Sequence, residues 1–111
     1  MQLSWQEFEK MDMRVGTIIG VADFPAARKP AYKLSIDFGP EIGVLRSSAQ
    51  LTVRYTTTAL LGRQIVAVVN FPPKQIADFI SECLVLGATG PDGDVILLQP
   101  DVAAANGSRI G

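Results

Sequence analysis

Tyr32-Lys33-Leu34-Ser35-Ile36-Asp37-Phe38-Gly39-Pro40-Glu41-Ile42-Gly43-Val44-Leu45-Arg46-Ser47-Ser48-Ala49 reads as two strands and the turn between them. In its first arm Leu34, Ile36 and Phe38 alternate with Lys33, Ser35 and Asp37, the period of a strand with one buried face. Gly39-Pro40-Glu41 supplies turn residues, and Ile42 to Ala49 returns as the second arm of a hairpin. Upstream, Met13 to Val21 alternates as well, with Val15, Thr17, Ile19 and Val21 on one side and Arg14, Gly16, Ile18 and Gly20 on the other. Glycines inside a strand predict a bulge or sharp bend, which a small barrel needs at its corners. Downstream, Thr56 to Leu61 predicts a short helix, with Thr to cap its start and Gly62 to end it. Gln64 to Val69 is a continuous apolar run, the signature of a strand buried on both faces.

Phe71-Pro72-Pro73-Lys74 cannot be a central strand, because two prolines remove donors from the ladder, so it predicts a surface loop running to about Ile80. Glu82 to Ala88 and Val95 to Leu98 are the last strands, joined by a turn at Pro91-Asp92-Gly93. At the other end, Ser4-Trp5-Gln6-Glu7 is a capping box opening a helix over residues 4–12. A helix this short is marginal alone and must dock on the domain body or on a second subunit. The tail from Asp101 to Gly111 keeps Val102 and Ile110, which suits partial anchoring. The fold class is therefore all-β, with five principal strands, a short helix between strands three and four, and an N-terminal helix. That is the order of a five-stranded OB-fold Greek-key barrel, although other small barrels and sandwiches fit the same pattern.

Charge is distributed unevenly. Seven of the ten Lys and Arg lie between Arg28 and Lys74 against two acids, Asp37 and Glu41, a formal +5 inside a chain of net charge −1. A local basic surface on an acidic body attracts polyanions, chiefly phosphate backbones, although bases scattered over a solvated surface would give the same composition. There is no His, so the usual general base near neutral pH and the commonest metal ligand are both absent. The single Cys83 can build neither a thiolate metal cluster nor an internal disulfide. These absences point to a binding module with no catalytic residues, metal or cofactor. At 111 residues the chain reads as one domain, and 48% hydrophobic against 19% charged is apolar for a small monomer, so a subunit interface is expected. No apolar run reaches the roughly 18–20 residues that span a bilayer, so membrane insertion is not expected. One unpaired cysteine and no export signal suggest the cytoplasm.

Asp12-Met13-Arg14-Val15-Gly16-Thr17-Ile18 resembles the opening pattern of the tRNA-binding OB-domain family, which includes the C-terminal extension of methionyl-tRNA synthetase. Further blocks are similar to the CsaA group of that family, described as export-linked chaperones. They are Phe24-Pro25, Ala27-Arg28-Lys29-Pro30-Ala31-Tyr32-Lys33-Leu34, Ile36 to Gly43, Ser47-Ser48-Ala49-Gln50, Val68 to Ile76 and Ser81 to Gly87. The resemblance covers almost the whole of residues 1–111. It implies a non-enzymatic homodimer that binds tRNA by shape and holds unfolded or pre-export polypeptides for the Sec machinery. It also places the N-terminal helix, 4–12, and the C-terminal segment, 100–111, at the dimer interface.

On such a barrel Arg28, Lys29, Lys33, Arg46 and Lys74 would border one groove and follow a phosphate track; Lys residues guarding strand edges are the plainer alternative. Ser47, Ser48 and Gln50 suit phosphate or 2′-OH contacts, or else a structural turn. Asn70, placed by the resemblance where a loop meets the binding face, can read a base edge or cap its own loop. Ser81 falls on the same face, next to Glu82, an acid where the family's free-standing tRNA binders have a small residue. Phe71, Pro72, Pro73, Ile76 and Phe79 offer an apolar lining for an extended peptide, a stacking surface for a base, or ordinary packing. Cys83 reads as an inert core thiol.

Overall fold

The strands Met13–Asp23 (β1), Tyr32–Asp37 (β2), Val44–Ala49 (β3) and Gln64–Val68 (β4) form most of an antiparallel sheet in a computed structural model that describes all 111 residues. Short helices Trp5–Glu9 (α1) and Thr57–Leu60 (α2) precede β1 and β4. Beyond β4 come five brief strands: Lys74–Ile76 (β5), Phe79–Ser81 (β6), Leu84–Val85 (β7), Gly87–Thr89 (β8) and Val95–Leu97 (β9). The main sheet runs β3-β2-β1-β4-β7, with β5-β6 and β8-β9 as separate hairpins. β1 is long enough to pair with β4 through Met13–Thr17 and with β2 through Thr17–Asp23. A register shift between Ile18 and Gly20 bends it from one partner to the other, which is the bulge the glycines predicted. Gly16 sits where a Cβ would lie 2.6 Å from Ile36 Cγ2 and 2.7 Å from Phe38 Cε1, so only glycine lets the core close there.

The barrel closes between β3 and the segment before β7. Glu82 N donates to Arg46 O (2.8 Å), and Arg46 N donates to the Glu82 carboxylate (3.0 Å). Ser48 N donates to Ser81 Oγ (3.2 Å). Inside lie Ile18, Leu34, Ile36, Phe38, Leu51, Leu60, Ile65 and Ala67, all buried, with Cys83 in the closing wall. This is the five-stranded OB-type barrel with its small helix expected from the sequence. The hairpin alternation places Leu34, Ile36 and Phe38 inward, and Thr56 caps α2 by accepting from Ala59 N. Gly62 follows at φ 84.

Two smaller apolar clusters lie outside the barrel. Met13, Val66 and Val68 are covered by Phe8, Leu86 and Ile110. Phe24, Ala31 and Phe79 make the other, with Ala27 and Ile76 packed on it. The first explains why β1 is buried on both faces near its start, where the sequence alternation suggested one. The tail does this: Ile110 N donates to Met13 O, Val15 N to Ser108 O, and Gly107 N to Val15 O, all at 2.8–2.9 Å. At the N-terminus the capping box forms as read, with Ser4 Oγ and the Glu7 carboxylate each taking the other's backbone N–H. No helix is long and apolar enough to cross a membrane.

Residues 71–80 do not form the plain loop the prolines suggested. Two prolines remove donors only at 72 and 73, and Lys74–Ile76 is free to pair with Phe79–Ser81. The turn between them holds Ala77 at φ 52, an uncommon conformation for a residue with a Cβ.

Candidate nucleic-acid interface

Side chains of β3 alternate, so Ser47 points into the barrel while Arg46, Ser48 and Gln50 point out. Lys33 on β2 pairs with Ser48 and shares that outer face. The β5–β6 hairpin folds over the same face, bringing Lys74 and Ile76 to Ser48 and Gln50. The result is a two-armed groove. One arm, about 500 Å³, is lined by Ala27, Arg28, Lys29, Ala31, Gln75 and the shared residues Ser48, Gln50, Lys74 and Ile76. The other, about 440 Å³, continues from those shared residues to Phe71, Pro72, Ser81, Glu82, Cys83 and Leu84. One arm is basic, the other mainly apolar.

The seven bases of the +5 segment separate cleanly. Arg54 is ion-paired with Asp94, and its hydrogen bond holds the Asp94 carboxyl below its ordinary range. Arg63 lies over Tyr55, 5.2 Å from the ring centroid. Arg63 and the other five, Arg28, Lys29, Lys33, Arg46 and Lys74, make no ion pair: the molecule's two salt bridges are Arg54–Asp94 and Arg14–Asp12. Lys33 and Arg46 stand on aromatic rings. Arg46 Cζ is 4.2 Å from the Phe79 centroid, and Lys33 Nζ is 4.8 Å from that of Phe24. Glu82 is the acid inside the groove, and its carboxylate is engaged by the Arg46 backbone N–H.

Three of the residues singled out from sequence are not free surface groups. Ser47 is 1% exposed, and its hydroxyl donates to Cys83 O (3.1 Å), so it belongs to barrel closure. Phe79 is likewise 1% exposed and floors the outer cluster instead of lining a peptide groove. Asn70 is exposed, but its amide is engaged at both ends: Nδ2 donates to Lys10 O (2.7 Å) and Oδ1 accepts from Asp12 N (3.1 Å). It staples the α1–β1 junction and does not border the groove. Pro73 is exposed beside the groove without lining it. Ser81 lines the apolar arm, with its hydroxyl shared between Ser48 N and Cys83 O. Burial pushes the Cys83 thiol up to about 12, which leaves it protonated near neutral pH. Sequence reading missed Phe24, Gln75 and Leu84; Phe24 looks like a loop boundary until a partner 55 positions away packs against it.

An OB-type barrel carrying an unpaired basic groove defines a class of small binding proteins. A family model described as "Putative tRNA binding domain" matches residues 13–109. Methionine–tRNA ligase of Neisseria meningitidis serogroup B is 35% identical over 112 residues, covering 99% of this chain. Its counterpart from Pyrococcus furiosus is 38% identical over 109 residues, covering 97%. The chain spans only 16% and 14% of the length of these two ligases. Solved structures match it end to end. The chaperone CsaA from Bacillus anthracis superposes with a TM-score of 0.94 at 50% identity, covering 100% of both chains. The CsaA chaperone protein of Picrophilus torridus gives 0.93 at 54% identity, covering 99% of this chain and 100% of that one. This chain belongs to the tRNA binding domain family, in its CsaA group.

Proposed function

We propose that the chain binds tRNA without catalysing a reaction on it, and that it also holds unfolded polypeptides. One observation carries the tRNA reading: five bases with no acid partner surround one outer face of the barrel. Arg28, Lys29 and Lys74 in the basic arm, with Lys33 and Arg46 beside it, would take successive phosphates. Ser48, Gln50 and Ser81 would supply neutral contacts. The family match supports this reading, and the absence of His supports a binding role without catalysis.

Binding of total tRNA should weaken steeply with salt, with a log–log slope of about −3.5 to −4.5 if all five bases neutralise phosphates. A slope near zero, or affinity unmoved by changing Lys33, Arg46 and Lys74 together to Ala, would refute it.

The second reading is a holdase for pre-export chains with weak or no tRNA binding. The apolar arm, where Phe71, Pro72, Ile76 and Leu84 line one cleft, favours it. So does the likeness to the CsaA chaperones of Bacillus anthracis and Picrophilus torridus. Phe71→Ser should then abolish suppression of client aggregation, and tRNA should compete with the client because the two arms share Ser48, Gln50, Lys74 and Ile76.

A homodimer in the cytoplasm, serving export, completes the proposal. Trp5 is 83% exposed and Met11 40%, beside the Arg109–Gly111 tail, an apolar surface that a second subunit would cover. Sedimentation showing only monomer would remove that part.

A further inference from the structure

We infer that Phe79, braced by Phe24, is a positioning residue that holds Lys33 and Arg46 together as one preformed seat for a phosphate group of a polynucleotide. The inference rests on the tRNA reading of this face. Its parts come from four separated places in the chain. Phe24 ends the first strand region, Lys33 lies on β2, Arg46 on β3 and Phe79 on β6. The two rings stand 5.4 Å apart at an interplanar angle of 55°, and both are buried. Arg46 Cζ is 4.2 Å from the Phe79 centroid; Lys33 Nζ is 5.5 Å from that centroid and 4.8 Å from Phe24's.

Sharing one ring puts the two charges within roughly 10 Å of each other, about one Debye length at 0.1 M, so their repulsion is only partly screened. No carboxylate lies within ion-pair distance of either to offset that repulsion. Long cationic side chains left to themselves would spread into solvent over many rotamers. The ring quadrupole attracts both cations and lowers the cost of keeping them close. An anion arriving there meets donors already gathered and does not have to order them, so affinity rises through preorganisation.

The hairpin that carries Phe79 is built at a cost. Ala77 occupies φ 52 so that a two-residue turn can return the chain and set Phe79 opposite Ile76. Backbone strain kept at such a place suits a need to put one side chain where it is. A hydrophobic plug alone would not need two cations as its roof.

The test is a set of double-mutant cycles on tRNA affinity, using the full chain. Phe79→Leu should keep the circular dichroism spectrum and weaken binding about two- to fivefold, the range of a cation–π pair at an exposed site. With Lys33 and Arg46 both changed to Ala, adding Phe79→Leu should cost no more; beside Lys74→Ala it should cost its full factor. Unchanged affinity, or the same loss whether or not the two bases are present, overturns the inference. Should Phe79→Leu fail to fold, Phe79→Met takes its place in the same cycles. Ring-current upfield shifts of the Lys33 ε and Arg46 δ protons in the free protein test positioning without tRNA, and their absence overturns it. If wild type binds no tRNA, the functional reading fails by itself. Titration with pyrophosphate then decides the seat, which stands if those shifted protons respond and falls if they do not.

Discussion

The molecule has two aromatic centres built on opposite terms. In the barrel, Phe38 is wholly buried in one apolar cluster with Ile36, Leu34, Leu60 and Ile65. Outside, Phe24 and Phe79 are almost as buried, yet their roof is the side chains of Lys33 and Arg46. Burial is nearly equal in the two places, while what would be lost on truncation differs. A residue in the sealed centre supports the fold alone. One in the roofed centre supports the fold and also the placement of charge, so its mutation should divide between stability and binding.

Removing a large ring from the sealed centre is the strongest way to test that contrast. Phe38→Ala should cost about 3–5 kcal/mol in urea unfolding, through lost burial and the cavity left behind. Phe79→Ala should cost less by the same measurement, at or below the lower end of that range, because the roof of Lys33 and Arg46 can settle into the space. Equal losses would mean that the outer cluster is simply more core.

Removing charge from the roofed side should leave folding intact. Changing Arg28, Lys29 and Lys74 together to Gln is expected to lower tRNA affinity about a hundredfold and to reduce the salt slope by about 2–3, with little change in unfolding midpoint. Fluorescence anisotropy across a salt series checks both numbers.

Cys83 belongs to both regions, closing the barrel wall and lining the apolar arm. Burial raises its folded pKa from 9.0 to about 12. The thiol's contribution to stability is therefore intact below about pH 9 and is lost as pH rises towards 12. By about pH 10 the loss should be on the order of 1 kcal/mol, and Cys83→Ala should remove this part of the alkaline slope in denaturant melts. Native Cys83 should also resist alkylation near pH 8, where an unfolded thiol reacts.

The smallest expected effect lies in the hairpin turn. Ala77→Gly relieves a positive φ and should stabilise the chain by about 0.5–1 kcal/mol, visible as a rise of a few degrees in Tm. No gain would mean that the turn is not strained.

How far the sequence foretold all this follows the same division. The barrel was legible because Leu34, Ile36 and Phe38 repeat at the period of the element that buries them, and the glycines of β1 mark its bend. The capping box, the Thr56 cap and the turns were legible for the same reason: their signals are local. Charge clustering pointed to Arg28, Lys29, Lys33, Arg46 and Lys74, and the fold brings these to one side. What could not be read was where each polar group finds its partner. Asn70 looks like a ligand residue until Lys10 and Asp12, about 60 positions away, are seen to occupy its amide. Ser47 differs from Ser48 only in the parity of a strand, which decides inside from outside. The β5–β6 hairpin was hidden because two prolines outweighed three pairing residues on each side.

The tail's attachment along β1 bears on how the chain comes into being. Arg14 reaches Gly107 O across 93 positions, and Val15 exchanges hydrogen bonds with residues 107 and 108. During synthesis the start of β1 must therefore wait, one edge open, until residues 107–110 have left the ribosome. Contacts that distant slow the final step of folding, and an unpaired strand edge is the usual point of entry for a neighbouring chain.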